Sequence, residues 1–311
     1  MGSGTITTRM RVCAGAAVAL LALVGLSACG SSSKSSSKST TTTAAAGSNT
    51  TPASSIQTID VTAKDFSFAI AGQTGPAPAT YPANRYRIHL TNTGTEDHQA
   101  QLARVNDGVT QQQLMAAAAQ SPDNALKLVS LVGGPNTIPP GGSQDVVVDL
   151  TNPGNYLMLC FVTSPIDHKP HIAKGMVLPF TVTAATGAEA AAPKSDGTVK
   201  MSDYQFELPS NVGHGTFKVI NDGPQPHEMS LIKLAPGKTV SDVLTFLQAT
   251  TPSGPPPFTS AGGAAGIQKG GEEWVTLDLQ PGSYAAICFI PDAKDGKPHF
   301  AHGMVFPFTV K

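Results

Sequence analysis

A stretch reading CFIPDAKDGKPHFAHGM, from Cys288 to Met304, occurs earlier as CFVTSPIDHKPHIAKGM, from Cys160 to Met176. Cys160, His171 and Met176 map onto Cys288, His299 and Met304 at one constant offset of 128 positions. Repetition at this spacing constrains the fold more than any other feature, because whatever structure forms must form twice. A chain of 311 residues is long enough for two ordinary domains, each burying a core.

The repeat extends well beyond that stretch. Ile59 to Phe68 and Val199 to Phe206 both alternate apolar and polar residues, the period-two pattern of a half-buried strand. Tyr86 to Asn92 and Phe217 to Asn221 are again strand-like, and each runs through a glycine-containing turn into a histidine, His98 or His227. A helical insertion follows in both copies. Thr110 with Gln113 forms a capping-box pattern, and Thr239 with Asp242 a looser one. Asp145 to Leu150 and Trp274 to Leu279 then read as strands, followed by a Pro-Gly turn and the strands that deliver Cys160 and Cys288. Final strands run from Val177 to Val182 and from Val305 to Val310.

Short strands, turn signals and one small helix per copy predict an all-β chain of two tandem Greek-key β-sandwich domains, each with a short helical insertion. The boundaries expected are 56–184 for the first domain, 185–197 for a linker centred on the Ala-rich stretch Ala184 to Pro193, and 198–311 for the second.

Charged residues make up 13% and the net charge is -1, without a basic block, which argues against nucleic acid as a partner. Residues 1–28 read as a leader, with Arg9 and Arg11 ahead of an apolar run from Val12 to Leu26. Leu26-Ser27-Ala28-Cys29 resembles the bacterial lipobox, which implies cleavage before Cys29 and acylation there. Residues 29–55 carry the lipidated Cys29 and a Ser/Thr-rich tether. The expectation is an extracytoplasmic protein anchored to the cell membrane by lipid, with Cys160 and Cys288 as the cysteines of its folded body. A disulfide between them would require the same edge of both domains to meet, so the spacing favours two separate roles.

Those roles follow from the neighbours. Thiolate, imidazole and thioether on one short loop are soft donors of the kind copper prefers. His98 and His227 complete the sets, since a sandwich can bring their loops to the same end. Two His, one Cys and one Met make the trigonal set with a weak axial ligand used for electron transfer. The turns from Asn92 to His98 and from Asn221 to His227, the Pro-Gly-x-Tyr strands and the Met five positions after His resemble the cupredoxin (blue, type 1 copper, plastocyanin-like) family over nearly all of residues 56–311. That resemblance implies His98, Cys160, His171 and axial Met176 as the ligands of one copper, with His227, Cys288, His299 and Met304 as those of another. The Cys-to-His loop is longer than in small members, which predicts a less tightly fixed histidine. His168 and His302 stand unmatched between the copies as competing ligands, and His89 and His214 read as surface residues.

Two-domain relatives that are enzymes resemble one another in His-x-His pairs and in a His beside the Cys. Here no His-x-His occurs, and Leu159 and Ile287 precede the cysteines. The sequence therefore predicts a one-electron carrier with a redox partner protein, and no enzyme. A copper-buffering lipoprotein and a metal-free interaction module are the alternatives. Pro170, Ile172, Pro298 and Phe300 are expected to form a docking surface or to pack between the domains.

Overall fold

A computed structural model describes residues 55–311 apart from Pro76, Ser121 and Pro252. The expected leader, Cys29 and the tether up to residue 54 lie outside the described residues. Among the described residues no helix is long and apolar enough to cross a membrane.

Alternation does what it predicts. In β1 (Gln57–Lys64) the side chains of Ile59, Val61 and Ala63 are buried while those between them are exposed. The first half continues with β2 (Ser67–Ile70), β3 (Ala79–Pro82), β4 (Asn84–Asn92), β5 (Gln101–Val105), β6 (Val129–Leu131), β7 (Ser143–Leu150), β8 (Gly154–Leu159) and β9 (Val177–Thr183). The second holds β10 (Gly197–Ser202), β11 (Gln205–Glu207), β12 (His214–Asn221), β13 (His227–Leu234), β14 (Phe258–Ile267), β15 (Glu272–Asp278), β16 (Gly282–Ile287) and β17 (Val305–Val310). The Pro-Gly-x-Tyr motif acquires a reason: Tyr156 and Tyr284 each donate their hydroxyl 2.6 Å to a carbonyl four residues back, at Asn152 and Gln280. This locks the turn that aims each cysteine strand.

Two helices, α1 (Gln111–Gln120) and α2 (Pro122–Leu126), fill the first insertion where one was expected; α3 (Val240–Gln248) fills the second. Both capping boxes form. The Thr239 hydroxyl accepts from Asp242 N while the Asp242 carboxylate accepts from Thr239 N at 2.8 Å, so the looser pattern makes a full box.

One eight-stranded sheet, in the order β11-β10-β12-β15-β7-β4-β1-β2, runs through both halves. The join is the antiparallel pair β7–β15, with Trp274 opposite Val147. A five-stranded sheet, β3-β9-β8-β5-β6, packs over the first half and a four-stranded one, β14-β13-β16-β17, over the second. The largest apolar cluster draws from both halves, from Ile59 to Val310, rather than forming one core per copy. The Ala-rich connection is held down where it passes: Ala190 N donates to Asn84 Oδ1, and Arg85 Nη1 donates to Ala190 O.

The strand β14, FTSAGGAAGI, is poor in the branched and aromatic residues that mark strands, and it is not among the strands expected from the sequence. Partners make it a strand. It pairs with β13 and is also tied to residues 131–137 of the first half. A Cβ on Gly263, at φ +119°, would lie 2.0 Å from Met229 O, so only glycine permits this approach. Gln101 clasps the strand from the first half, accepting from Gly266 N at 2.6 Å and donating to Gly266 O at 2.8 Å. Glu273 accepts from Gly134 N across the same seam at 2.8 Å.

Candidate metal centres

Each cysteine sits at the end of a strand, Cys160 after β8 and Cys288 after β16. The chain then loops out and returns through a single 3₁₀ turn, His171–Lys174 or His299–His302. His171 N donates to Val162 O, Ile172 N to Cys160 O, and Met176 N to His171 O, at 2.8, 2.8 and 3.0 Å. The same three bonds recur at His299, Phe300 and Met304, at 2.9, 2.9 and 3.1 Å. The expectation that a longer loop leaves the histidine loosely fixed is therefore corrected. Its extra residues form a turn of their own, closed by Ser164 N to Lys169 O in one copy and Asp292 N to Lys297 O in the other.

The second histidine of each centre enters from the turn after β4 or β12. Asn92 shapes that turn, donating to the carbonyls of Glu96 and Ile138 and accepting from Gly94 N. Asn221 repeats all three bonds with Gln225, Ile267 and Gly223. The glycine is required by close approach: a Cβ on Gly94 would stand 2.7 Å from His98 Nε2, and one on Gly223 2.7 Å from His227 Nε2.

The structure brings the expected residues together. His98, Cys160 and His171 converge with donor atoms within 4.8 Å of one another, as do His227, Cys288 and His299, and all six residues are buried. His98 Nδ1 lies 3.1 Å from His171 Nδ1, and His227 Nδ1 lies 3.0 Å from His299 Nδ1. Cys160 Sγ is 3.4 Å from His171 Nδ1 and Cys288 Sγ 3.4 Å from His299 Nδ1. Met176 and Met304 are fully buried, and their carbonyls accept from Cys160 N and Cys288 N. Both cysteines are free thiols.

What sequence reading missed is the ring of carboxylates behind the histidines. His98 Nε2 bonds Asp65 at 2.6 Å, His227 Nε2 bonds Asp203 at 2.8 Å, and His171 Nε2 bonds Glu96 at 3.0 Å. Asp65 and Asp203 occupy matching places after the first strand of each copy, in Asp-Phe and Asp-Tyr, so the repeat itself held the signal. A carboxylate at Nε2 fixes the proton there and leaves the Nδ1 lone pair free. In three of the four imidazoles that lone pair points at the other ring and the thiol. Lone pairs opposed at about 3 Å repel unless a cation lies between them, and this set of nitrogen and sulfur donors fits copper. His299 is the exception, since its buried Nε2 has no hydrogen-bond partner and stands 4.0 Å from Asp292.

Electrostatics agree with a metal role. Burial pushes the Cys160 thiol up to about 12, and the Cys288 thiol still higher. Burial also lowers His98 and His227 against the pull of their carboxylates, and lowers His299 to about 4. In these five groups burial favours the uncharged donor. Burial opposes ionisation of Asp65, yet bonds from Thr95, His98 and Glu96 hold it well below the usual range. Phe66 lies edge-on to His171 at 4.7 Å and Tyr204 edge-on to His299 at 5.4 Å, covering the rings.

The remaining histidines separate cleanly. His168 is exposed and outside the first centre, and His302 is exposed beside Asp295 at 3.2 Å. His89 and His214 pair with Asp145 and Asp278 at the surface. Of the four residues expected to dock or to pack inward, Phe300 is buried and lines a cavity of about 600 Å³ whose walls come from both halves. Ile172 packs against an apolar cluster of the first half.

The fold is all-β, with sheets packed face to face, and each buried Cys-His-His group presents the nitrogen and sulfur donors that suit copper. No family model matches the chain, and no curated protein is matched by its sequence. Solved structures similar to it include a dithionite-reduced auracyanin from Roseiflexus castenholzii, at 18% identity over 42% of this chain and 99% of that one, with a TM-score of 0.28. A multicopper oxidase is matched at 19% identity over 83% of this chain and 92% of its own, with a TM-score of 0.26. A copper nitrite reductase from Nitrosomonas europaea is matched at 13% identity over 83% of this chain and 94% of its own, with a TM-score of 0.25. The expectation that the chain is no enzyme is corrected by these matches, because two proteins that are enzymes by name are matched across most of it. The missing His-x-His removes one plan for a further copper centre, and nothing more.

Proposed function

We propose that the chain is a membrane-anchored, extracytoplasmic copper protein that passes single electrons through two type 1 centres. His98, Cys160, His171 and Met176 ligate one, and His227, Cys288, His299 and Met304 the other. The observation that carries this reading is the meeting of two Nδ1 lone pairs and a buried thiol in the first half, repeated at the same spacing in the second. Copper supplies a couple between Cu(II) and Cu(I), with thiolate and thioether favouring the reduced ion and imidazole accepting the oxidised one.

The protein's part is to hold the donors still and dry. A pKa of about 12 keeps the proton on Cys160 Sγ until a cation replaces it. Asp65, Asp203 and Glu96 keep protons on the outer nitrogens, so the inner ones stay available and oriented. Backbone bonds from each loop to its own cysteine strand limit rearrangement when the charge changes. Leader and lipobox support the location: acyl chains on Cys29 would each bring about 0.8 kcal/mol per buried CH₂ to membrane binding. Cys29→Ser then moves the protein from the membrane fraction to the soluble one. The electron partner is a redox protein or a small molecule outside the cytoplasm.

Voltammetry of the copper-loaded chain tests the reading. Reversible one-electron waves are expected, and they disappear in the double variant Cys160→Ser, Cys288→Ser. Stoichiometric copper without a reversible wave would contradict electron transfer and leave a buffering role.

A further inference from the structure

One buried group of the second centre lacks a partner. His299 Nε2 makes no hydrogen bond, and Asp292 Oδ2 stands 4.0 Å from it. Neither residue is open to water, at 0% and 3% exposed. Buried polar groups are normally paired, so a carboxylate this near and still unbonded requires a cause. The first half shows the paired arrangement. His171 Nε2 bonds Glu96 Oε2 at 3.0 Å, while the other oxygen of Glu96 accepts from Ser164 Oγ at 3.0 Å.

The cause lies in the other bonds of Asp292. Oδ2, the oxygen 4.0 Å from His299, accepts from the Tyr204 hydroxyl and from Gln225 Nε2, the latter at 2.9 Å. Oδ1 accepts from Lys294 N at 2.8 Å and from Asp295 N at 3.3 Å. A carboxylate has about four lone-pair sites, and four donors occupy them. The hydroxyl is the donor that the first half lacks. Tyr204 follows Asp203 as Phe66 follows Asp65. Phe66 lies edge-on to His171 at 4.7 Å and Tyr204 edge-on to His299 at 5.4 Å. Both rings cover a histidine, and only Tyr204 brings a hydrogen-bond donor with its cover.

We infer that Tyr204 is a positioning residue of the second centre: its hydroxyl holds Asp292 off His299 and so raises the potential of that centre. An imidazole whose Nε2–H bonds a carboxylate is the more basic ligand and favours Cu(II). His171 has such a bond to Glu96, whereas His299 goes without one because the lone pair it would use is taken. A hydroxyl outside the donor set thus tunes one centre and not the other. The effect on potential rests on the copper reading, while the placing of Asp292 belongs to the chain alone.

Tyr204→Phe tests it, since the change removes the hydroxyl and leaves the covering ring in place. In a crystal structure of the copper-free variant, Asp292 Oδ2 should stand about 3 Å from His299 Nε2, the length of an N–H···O bond. In the copper-loaded variant, Cu(II) affinity at the second centre should rise about tenfold with Cu(I) affinity unchanged. That is a fall in potential of about 59 mV, read by redox titration with the first centre unmoved as reference. Repeating the titration in the Cys160→Ser background assigns the shift. Adding Tyr204→Phe to Asp292→Asn should produce no fall, because no carboxylate remains to approach His299. A fall in that double variant overturns the inference, as does an Asp292 that stays about 4 Å away or a second-centre potential that is unmoved or raised. If copper does not load, the metal reading falls and the copper-free structure still decides where Asp292 is held. If copper loads and the second centre does not shift, this inference alone falls.

Discussion

His171 donates from Nε2 to Glu96 at 3.0 Å, and the same carboxylate accepts from Ser164 Oγ at 3.0 Å. In the second half the acid and its neutral partner have exchanged places. Gln225 stands where Glu96 would be and Asp292 where Ser164 would be. Gln225 Nε2 donates to Asp292 at 2.9 Å, Tyr204 donates its hydroxyl to the same carboxylate, and His299 Nε2 is left 4.0 Å away. The repeat has kept the donor set and altered its support, so the two centres are not equivalent.

Glu96→Gln should therefore weaken copper binding at the first centre by roughly 10–100-fold, the usual cost of losing an outer partner of a ligating histidine. Loss of the anion disfavours Cu(II) more than Cu(I), so the potential of that centre should rise. If the whole loss falls on Cu(II), the rise is about 60–120 mV at 59 mV per tenfold for one electron. Redox titration of the variant, with the second centre as internal reference, checks both the sign and the site.

Gln101 ties β5 to β14 through bonds in both directions with Gly266, and it also donates to Leu102 O at 2.8 Å. Gln101→Ala removes the side-chain partner of those buried backbone groups. A loss of about 2–4 kcal/mol in unfolding free energy is expected, from the lost bonds and the stranded donors and acceptors together. Urea denaturation measures it.

Glu273 gives a pH dependence of known sign. Burial pushes its carboxyl well above the ordinary 4.5, so the folded chain keeps a proton that the unfolded chain releases. Its contribution is full below pH 4.5 and is lost as pH rises from there toward the folded value. Glu228, raised by burial to about 7, acts in the same sense between 4.5 and 7. Glu273→Gln should remove one proton's share of the decline, up to about 1.4 kcal/mol per pH unit. Unfolding curves of both proteins from pH 4 to 8 should converge at low pH and separate upward, with the variant the more stable at high pH.

The sequence was most readable where residues repeat with their chemistry. The alternation in β1 and the repeated Pro-Gly-x-Tyr turns came from spacing, because a period of two and a constant offset leave little choice of side, and the six converging donors came from the repeat together with the resemblance to cupredoxins. Less legible was whatever depends on the partner strand. The glycines and alanines of β14 carry no strand preference, and only their contacts with Met229, Gly134 and Gln101 make them a strand. The carboxylates Asp65 and Asp203 were visible as a repeated acid, but their role exists only once folding sets them against His98 and His227. Glu96 and Asp292 were hidden for another reason: the repeat conserves a buried pairing by exchanging its members, and a position-by-position comparison sees two unrelated substitutions.

The central claim is that each half holds one copper through its own thiolate, and native mass spectrometry of the copper-loaded chain tests it most directly. The wild type should carry two coppers, Cys160→Ser and Cys288→Ser one each, and the double variant none, because the thiolate is the only anionic ligand in each set. Two coppers retained in either single variant, or none bound by the wild type, would contradict the account.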